Sequence, residues 1–249
     1  MRWTALTVAS LLAIAAGCSG DSNAGGGADT LTVFAASSLT DVFEDVGAAF
    51  EQGNRGIDVR FVFGSSSDLA TQLEQGARAG VFASADEVSM ERASDAGLVA
   101  GDPQVFARNE LEIIVPPNNP GHVEELSDLS DENLVITVCG PPCPAGRYAQ
   151  EIFDNAGIAV VPDSFEAEVK GVVTRVALGE ADAGIAYVTD TAAAAGDVVG
   201  IPIPEVVGVV AVYQTARLTD SNDAANRWTE FVLNAEGQDI LREYGFLSP

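Results

Sequence analysis

Short apolar runs alternate with amphipathic stretches along most of the chain, and this alternation restricts the fold more than any other feature of the sequence. Residues 30–36, 57–63 and 79–85 read as strands. The first is followed by Leu39, Val42, Phe43, Val46 and Phe50 and the second by Leu69 and Leu73, in both cases at helical spacing. The third leads into a helix over 86–97 that Gly97 stops. A βαβαβα order calls for a parallel sheet covered by helices on both faces. The pattern resumes after a strand at 110–115 that ends in a Pro/Asn cluster. Residues 133–139 read as a strand and 144–157 as a helix with proline in its first turn. A helix over 167–182, a strand over 183–188 and a short helix over 189–196 follow, then β-rich segments at 197–204 and 206–214. The tail, 221–246, reads as largely helical, with Trp228, Phe231, Val232, Ile240, Leu241 and Phe246 as its core face.

The chain's start bears on where it works. Arg2, the apolar run 6–16 and the small residues before Cys18 make a signal-peptide pattern over 1–17. That arrangement resembles a bacterial lipobox, which would make Cys18 a lipid-modified N-terminus. Residues 18–29 are rich in Gly and Ser, a flexible spacer suited to holding a domain off a membrane. The expectation is an exported lipoprotein on the outer face of the cell membrane. In that compartment a disulfide between Cys139 and Cys143 is the default, with free thiols as the alternative. A metal site would need more Cys or His ligands than one His122 can add. The formal charge of −25, from 12 basic against 37 acidic residues, argues against nucleic acid and against electrostatic binding to anionic lipid.

Two serine clusters, Ser37–Ser38 and Ser65–Ser67, stand where a strand gives way to a helix. The first turn of a helix carries unpaired N–H groups and the positive end of the dipole. In an open α/β sheet such ends gather at the carboxyl edge of the strands, where ligands bind. They receive anions without any charged side chain. Serine hydroxyls add donors at the same spot, although simple N-capping would use the same residues. "CPAG" and "EVKG" provide two later helix starts of the same kind.

Taken in order, "VFAASSLTD", "FGSSSDLATQLEQGA", "VFASAD", "PAGRYAQE", "GEADAGIAYVTD" and the terminal "EYGF" resemble the periplasmic molybdate-binding proteins of ABC importers, within the type II solute-binding proteins. The resemblance implies two α/β lobes, each a mostly parallel sheet flanked by helices, with two crossing strands as hinge. Lobe 1 would hold 29–109 plus 212–249, and lobe 2 would hold 110–211. It further implies that Ser38 and Ser66 bind an oxyanion through hydroxyl and backbone N–H, Ala145 and Val169 through backbone N–H, and Tyr187 through its hydroxyl. The implied ligand is molybdate or tungstate, with no cofactor and no bound cation. The implied partner is an ABC permease in the membrane, and a monomer is expected.

A fully deprotonated tetrahedral dianion needs donors only, which is what these residues supply. Hydrogen phosphate brings a proton that wants an acceptor, and leaving it unpaired costs ~1–3 kcal/mol. Asp68 and Glu168 stand next to binding positions, so a carboxylate turned into the cleft would favour phosphate. Sulfate shares molybdate's lack of a proton and differs in size. The alternatives are therefore another oxyanion-binding protein, for sulfate or phosphate, and, outside this class, an exported enzyme or an adhesion protein. The sequence has no G-x-S-x-G elbow and no H-E-x-x-H, and a Ser-His-Asp triad could draw only on His122.

Overall fold

The computed structural model describes residues 29–249. The leader 1–17, the lipidation residue Cys18 and the spacer to residue 28 lie outside the described residues. Among the described residues nine strands join one mixed sheet: β1 (Asp29–Ala36), β2 (Ile57–Gly64), β3 (Val81–Ser84), β4 (Gln104–Val115), β5 (Ile136–Cys139), β6 (Ser164–Glu166), β7 (Ala183–Tyr187), β8 (Val199–Pro202) and β9 (Val210–Arg217). The helices are α1 (Thr40–Gly53), α2 (Ser66–Glu74), α3 (Glu87–Asp95), α4 (Pro144–Ala156), α5 (Val169–Ala177), α6 (Val188–Ala193), α7 (Asp223–Leu233) and α8 (Ala235–Glu243).

The strand order is β2-β1-β3-β9-β4-β7-β5-β6, with β8 also on β4. At one end β1 pairs in parallel with β2 and β3, and at the other β5 pairs in parallel with β6 and β7. Two long antiparallel strands join these ends. β4 pairs with β9 from Gln104 to Glu110, then with β7 from Leu111 to Ile114 and with β8 from Glu112 to Val115. The chain is thus an α/β protein with a mostly parallel sheet at each end.

The inner parallel strands β1 and β3 are covered on both faces, and the buried side chains of both faces are apolar. Leu31, Val33 and Ala35 face a core with α1 and α7, and Phe34 and Phe82 face Leu69, Leu73 and Met90 of α2 and α3. Trp228 is fully buried, with ring centroids 5.5, 5.3 and 5.6 Å from Phe43, Phe50 and Phe61. Edge-to-face pairs of this kind contribute ~0.5–1.5 kcal/mol each beyond their buried area. This packing fixes α1, and with it the turn that precedes α1, against the sheet.

Several boundaries differ from the sequence expectation. The strand expected over 133–139 begins at Ile136, because Leu134 N–H turns back to the Asp131 carbonyl at 3.1 Å. The segment 206–214 becomes strand only at Val210, since the N–H groups of Val207 and Gly208 both close on the Pro204 carbonyl. The helix expected to 182 ends at Ala177, and Gly179 follows with φ +71. The tail is two helices, because Asn234 leaves the helical path and its side chain accepts the Gly237 N–H at 3.0 Å. The edge strand β6 has no apolar run to announce it.

Candidate functional site

Strands β1, β2, β5 and β7 deliver their carboxyl ends to one place. After β1 the chain makes a single 3-10 turn, Ser37–Leu39, before α1 begins. After β2, Ser65 sits at the N-cap of α2 and Ser66 is its first residue. Val169 opens α5, and Ala145 is the second residue of α4, behind Pro144. The N–H groups of Ser66, Ala145 and Val169 therefore stand in first turns, where no intrahelical carbonyl can reach them. Ser38, Ser66, Ala145, Val169 and Tyr187 line one cavity together with Ser37, Ser65, Ala85 and Cys143. Its volume is ≈ 10 Å³, about the space that one water molecule needs and far below the ~300–1,000 Å³ of sites for organic ligands.

The loop ahead of α4 is built to close tolerances. Cys139 ends β5, Cys143 caps α4, and a disulfide joins them with Cα atoms 5.9 Å apart. Gly146 follows Ala145, and a Cβ there would lie 2.3 Å from the Gly140 carbonyl oxygen and 2.4 Å from that of Cys139. The absence of a side chain lets the first turn of α4 sit directly on the loop, which sets where Ala145 N–H points.

Both central serines are held from behind. The Ala85 N–H donates to Ser66 Oγ at 3.0 Å. Ser38 Oγ and Tyr213 Oη are 2.8 Å apart, both buried. Ser65 and Ser67 bond to each other at 2.9 Å. Tyr187 is 1% exposed, and its hydroxyl has no hydrogen-bond partner among the described residues. Burial raises the Tyr187 pKa well above its ordinary value, reinforced by Tyr213, Tyr148, Asp86 and Asp190, so the group is a neutral donor.

Charged groups ring the cavity without lining it. Arg147 of α4 reaches Asp86, the N-cap of α3, and lies 3.2 Å from Ser89 Oγ. Lys170 of α5 pairs with Asp41 in the first turn of α1 and stands 3.5 Å from the buried Asp190 of α6. Each cation thus joins a helix from one end of the sheet to a helix from the other. Glu168 is half-buried; its pKa is raised by burial and then by Asp68, with Lys170 opposing. Neither Asp68 nor Glu168 is among the lining residues. Among the described residues no group of three or more His, Cys, Asp or Glu is placed to hold a metal ion. The arrangement offers donors, no carboxylate acceptor and no nucleophile-base pair, which suits reversible capture of an anion.

The structure brings all five of the expected oxyanion residues to this cavity, while Cys18 lies outside the described residues. Sequence reasoning missed Tyr213, Arg147, Lys170 and Asp190. For Tyr213 the sequence carries no signal, since it is one residue in a β-rich run. Lys170 adjoins a candidate position, but its partners Asp41 and Asp190 are remote along the chain or in another element.

Residues 31–247 match the family described as bacterial extracellular solute-binding protein. The chain is 40% identical to the molybdate-binding protein ModA of Mycobacterium tuberculosis over 261 aligned positions, covering 100% of both chains. Its structure superposes on the Azotobacter vinelandii periplasmic molybdate-binding protein with a TM-score of 0.75 and 22% identity, covering 88% of this chain and 99% of that one. The sulfate-binding protein SubI from Mycobacterium tuberculosis gives a TM-score of 0.76 at 18% identity, with 88% and 86% covered. At those identities the two structural matches speak for the fold alone.

Proposed function

The chain belongs to the bacterial extracellular solute-binding proteins, and from that premise we propose that it is the molybdate-binding component of an ABC importer. The observation that carries this reading is the convergence of Ser38, Ser66, Ala145, Val169 and Tyr187 on one small cavity lined by no carboxylate. Two serine hydroxyls, a tyrosine hydroxyl and backbone N–H groups at helix starts surround an ion that carries two charges and no proton. Hydrogen bonds to a charged partner contribute ~1.5–3 kcal/mol each. Stripping water from the ion and ordering the site offset a large part of that. Within each end of the sheet the donors are fixed by strand ends and helix starts, so the ordering left to binding is the closing of one set on the other.

In this reading β4 and β9 are the hinge between lobe 1, 29–109 plus 212–249, and lobe 2, 110–211. Closure brings Ser38 and Ser66 of the first to Ala145, Val169 and Tyr187 of the second. The Arg147–Asp86 and Lys170–Asp41 pairs span the same junction and hold it shut. The closed form is presented to a membrane permease, and the ion leaves chemically unchanged, so the protein acts as a carrier and not as an enzyme. Tungstate, with nearly the same shape and charge, is bound as well. A lipid on Cys18 and the spacer to residue 28 tether a monomeric domain to the outer face of the membrane.

Isothermal calorimetry with molybdate, tungstate, sulfate and phosphate on residues 29–249 tests the ligand. Saturable heat is expected with the first two. Heat with sulfate or phosphate and none with molybdate would assign the site to another oxyanion.

A further inference from the structure

The two serines of the site are backed by hydrogen-bonding groups of different kinds. Behind Ser66 stands the Ala85 N–H, which can only donate. Behind Ser38 stands a phenol, Tyr213 Oη at 2.8 Å, which can donate or accept. Tyr213 is outside the cavity lining, so it does not touch the solute. It is fully buried on β9 and wedged edge-on among Tyr187, Phe106 and Phe246, with ring centroids 5.8, 6.2 and 5.4 Å away. Its hydroxyl therefore has little freedom to turn aside. Among the described residues Ser38 Oγ is the hydrogen-bond partner of that hydroxyl. The Ser38 hydroxyl first, and then the Asn109 amide, favour the ionised form of Tyr213. Burial opposes ionisation more strongly, so the phenol keeps its proton.

We propose that Tyr213 is a positioning residue that sets selectivity: its O–H donates to Ser38 Oγ and commits the one Ser38 proton to the bound anion. The inference rests on the reading of Ser38 as an oxyanion donor. A hydroxyl has a single proton. With its oxygen already occupied by the Tyr213 proton, Ser38 faces the cavity as a donor, just as Ser66 does with Ala85 behind it. Chains of hydrogen bonds running in one direction strengthen one another, and here the chain runs from Tyr213 through Ser38 to the anion. A solute that carries its own proton, such as hydrogen phosphate, needs Ser38 to accept. Ser38 has one lone pair left for that proton and would have to turn its own proton aside to present it; donating back to Tyr213 instead would leave the phenol proton buried without an acceptor. Tyr213 thus penalises protonated oxyanions without touching them.

The experiment is a double-mutant cycle read by calorimetry at pH 8, with molybdate and with inorganic phosphate, on wild type, Tyr213→Phe, Ser38→Ala and the double variant. Tyr213→Phe removes one oxygen and keeps the ring. It is expected to weaken molybdate binding about tenfold, to narrow the molybdate-to-phosphate affinity ratio by a similar factor, and to have no further effect in the Ser38→Ala background. The ratio does not depend on the folded fraction, so partial misfolding leaves it readable. Equal losses in both backgrounds with an unchanged ratio would mean that Tyr213 only packs, and would overturn the proposal while leaving the site intact. Unchanged molybdate affinity in Tyr213→Phe, with a loss in Ser38→Ala, would overturn it too. Unchanged molybdate affinity in Ser38→Ala would overturn the oxyanion site itself, and this inference with it.

Discussion

The buried carboxylate of Asp190 stands 3.5 Å from the Lys170 ammonium, yet its pKa is pushed up to about 6. Burial is the leading cause, and the attraction of Lys170 offsets only part of it. The folded protein thus holds a proton on Asp190 at pH values where the unfolded chain, with an ordinary value of 3.8, has released it. A raised carboxylate pKa favours the folded state at low pH, and that advantage is lost as pH rises from about 4 through about 6. Asp190→Asn should therefore melt at a higher temperature than wild type at pH 7.5, and the gap should close by pH 4. Lys170 keeps Asp41 in the variant. Circular dichroism melts at the two pH values check this, and a variant less stable than wild type at pH 7.5 would contradict it.

The Tyr187 hydroxyl separates binding from stability. It is buried with no partner among the described residues, and such a group costs the fold ~1–3 kcal/mol. Tyr187→Phe should leave the melting temperature of the ligand-free protein unchanged or raised. The same substitution should weaken molybdate binding about tenfold, the loss of one charge-assisted bond. Calorimetry and thermal melts on one preparation measure both.

Ser66 should behave in the opposite way. Its oxygen accepts the Ala85 N–H, and the residue is fully buried. Ser66→Ala removes a donor from the cavity and orphans a backbone N–H. Affinity should fall at least tenfold, and chemical denaturation of the ligand-free protein should show a loss of ~1–3 kcal/mol.

Glu168 precedes Val169 at the start of α5 and makes no capping bond there. Its charge works against an approaching dianion and against Asp68. Glu168→Gln should tighten molybdate binding a few-fold, with the gain shrinking at high salt as screening shortens the reach of the removed charge. Wild-type affinity should also rise as pH falls toward the raised Glu168 pKa, and this rise should be absent in the variant. Titrations at two salt concentrations and two pH values decide it.

The serine clusters were legible because strand-to-helix junctions are local: a buried run, a small hydroxyl residue and helical spacing lie within a dozen positions. Ala145, Val169 and Tyr187 came from resemblance, since nothing about an alanine or a valine advertises its N–H. The Tyr213–Ser38 and Arg147–Asp86 contacts join residues far apart in the chain, and only the fold brings them together. The short edge strand β6 escaped for a different reason. Three residues at a sheet margin, Ser164, Phe165 and Glu166, need no apolar pattern, because only the hydrogen-bonding of β5 recruits them. The break at Asn234 was hidden because both flanking segments keep helical spacing, and the side-chain cap that starts α8 outweighs continuation.

Gly146 leaves the start of α4 no latitude: a Cβ would fall 2.3 Å from one carbonyl oxygen and 2.4 Å from another. The helix start is therefore a datum within its own lobe, locked to the loop from Cys139 to Gly140. When the lobes close, the width of the gap to the serines is decided by where that closure stops and not by any give at Ala145.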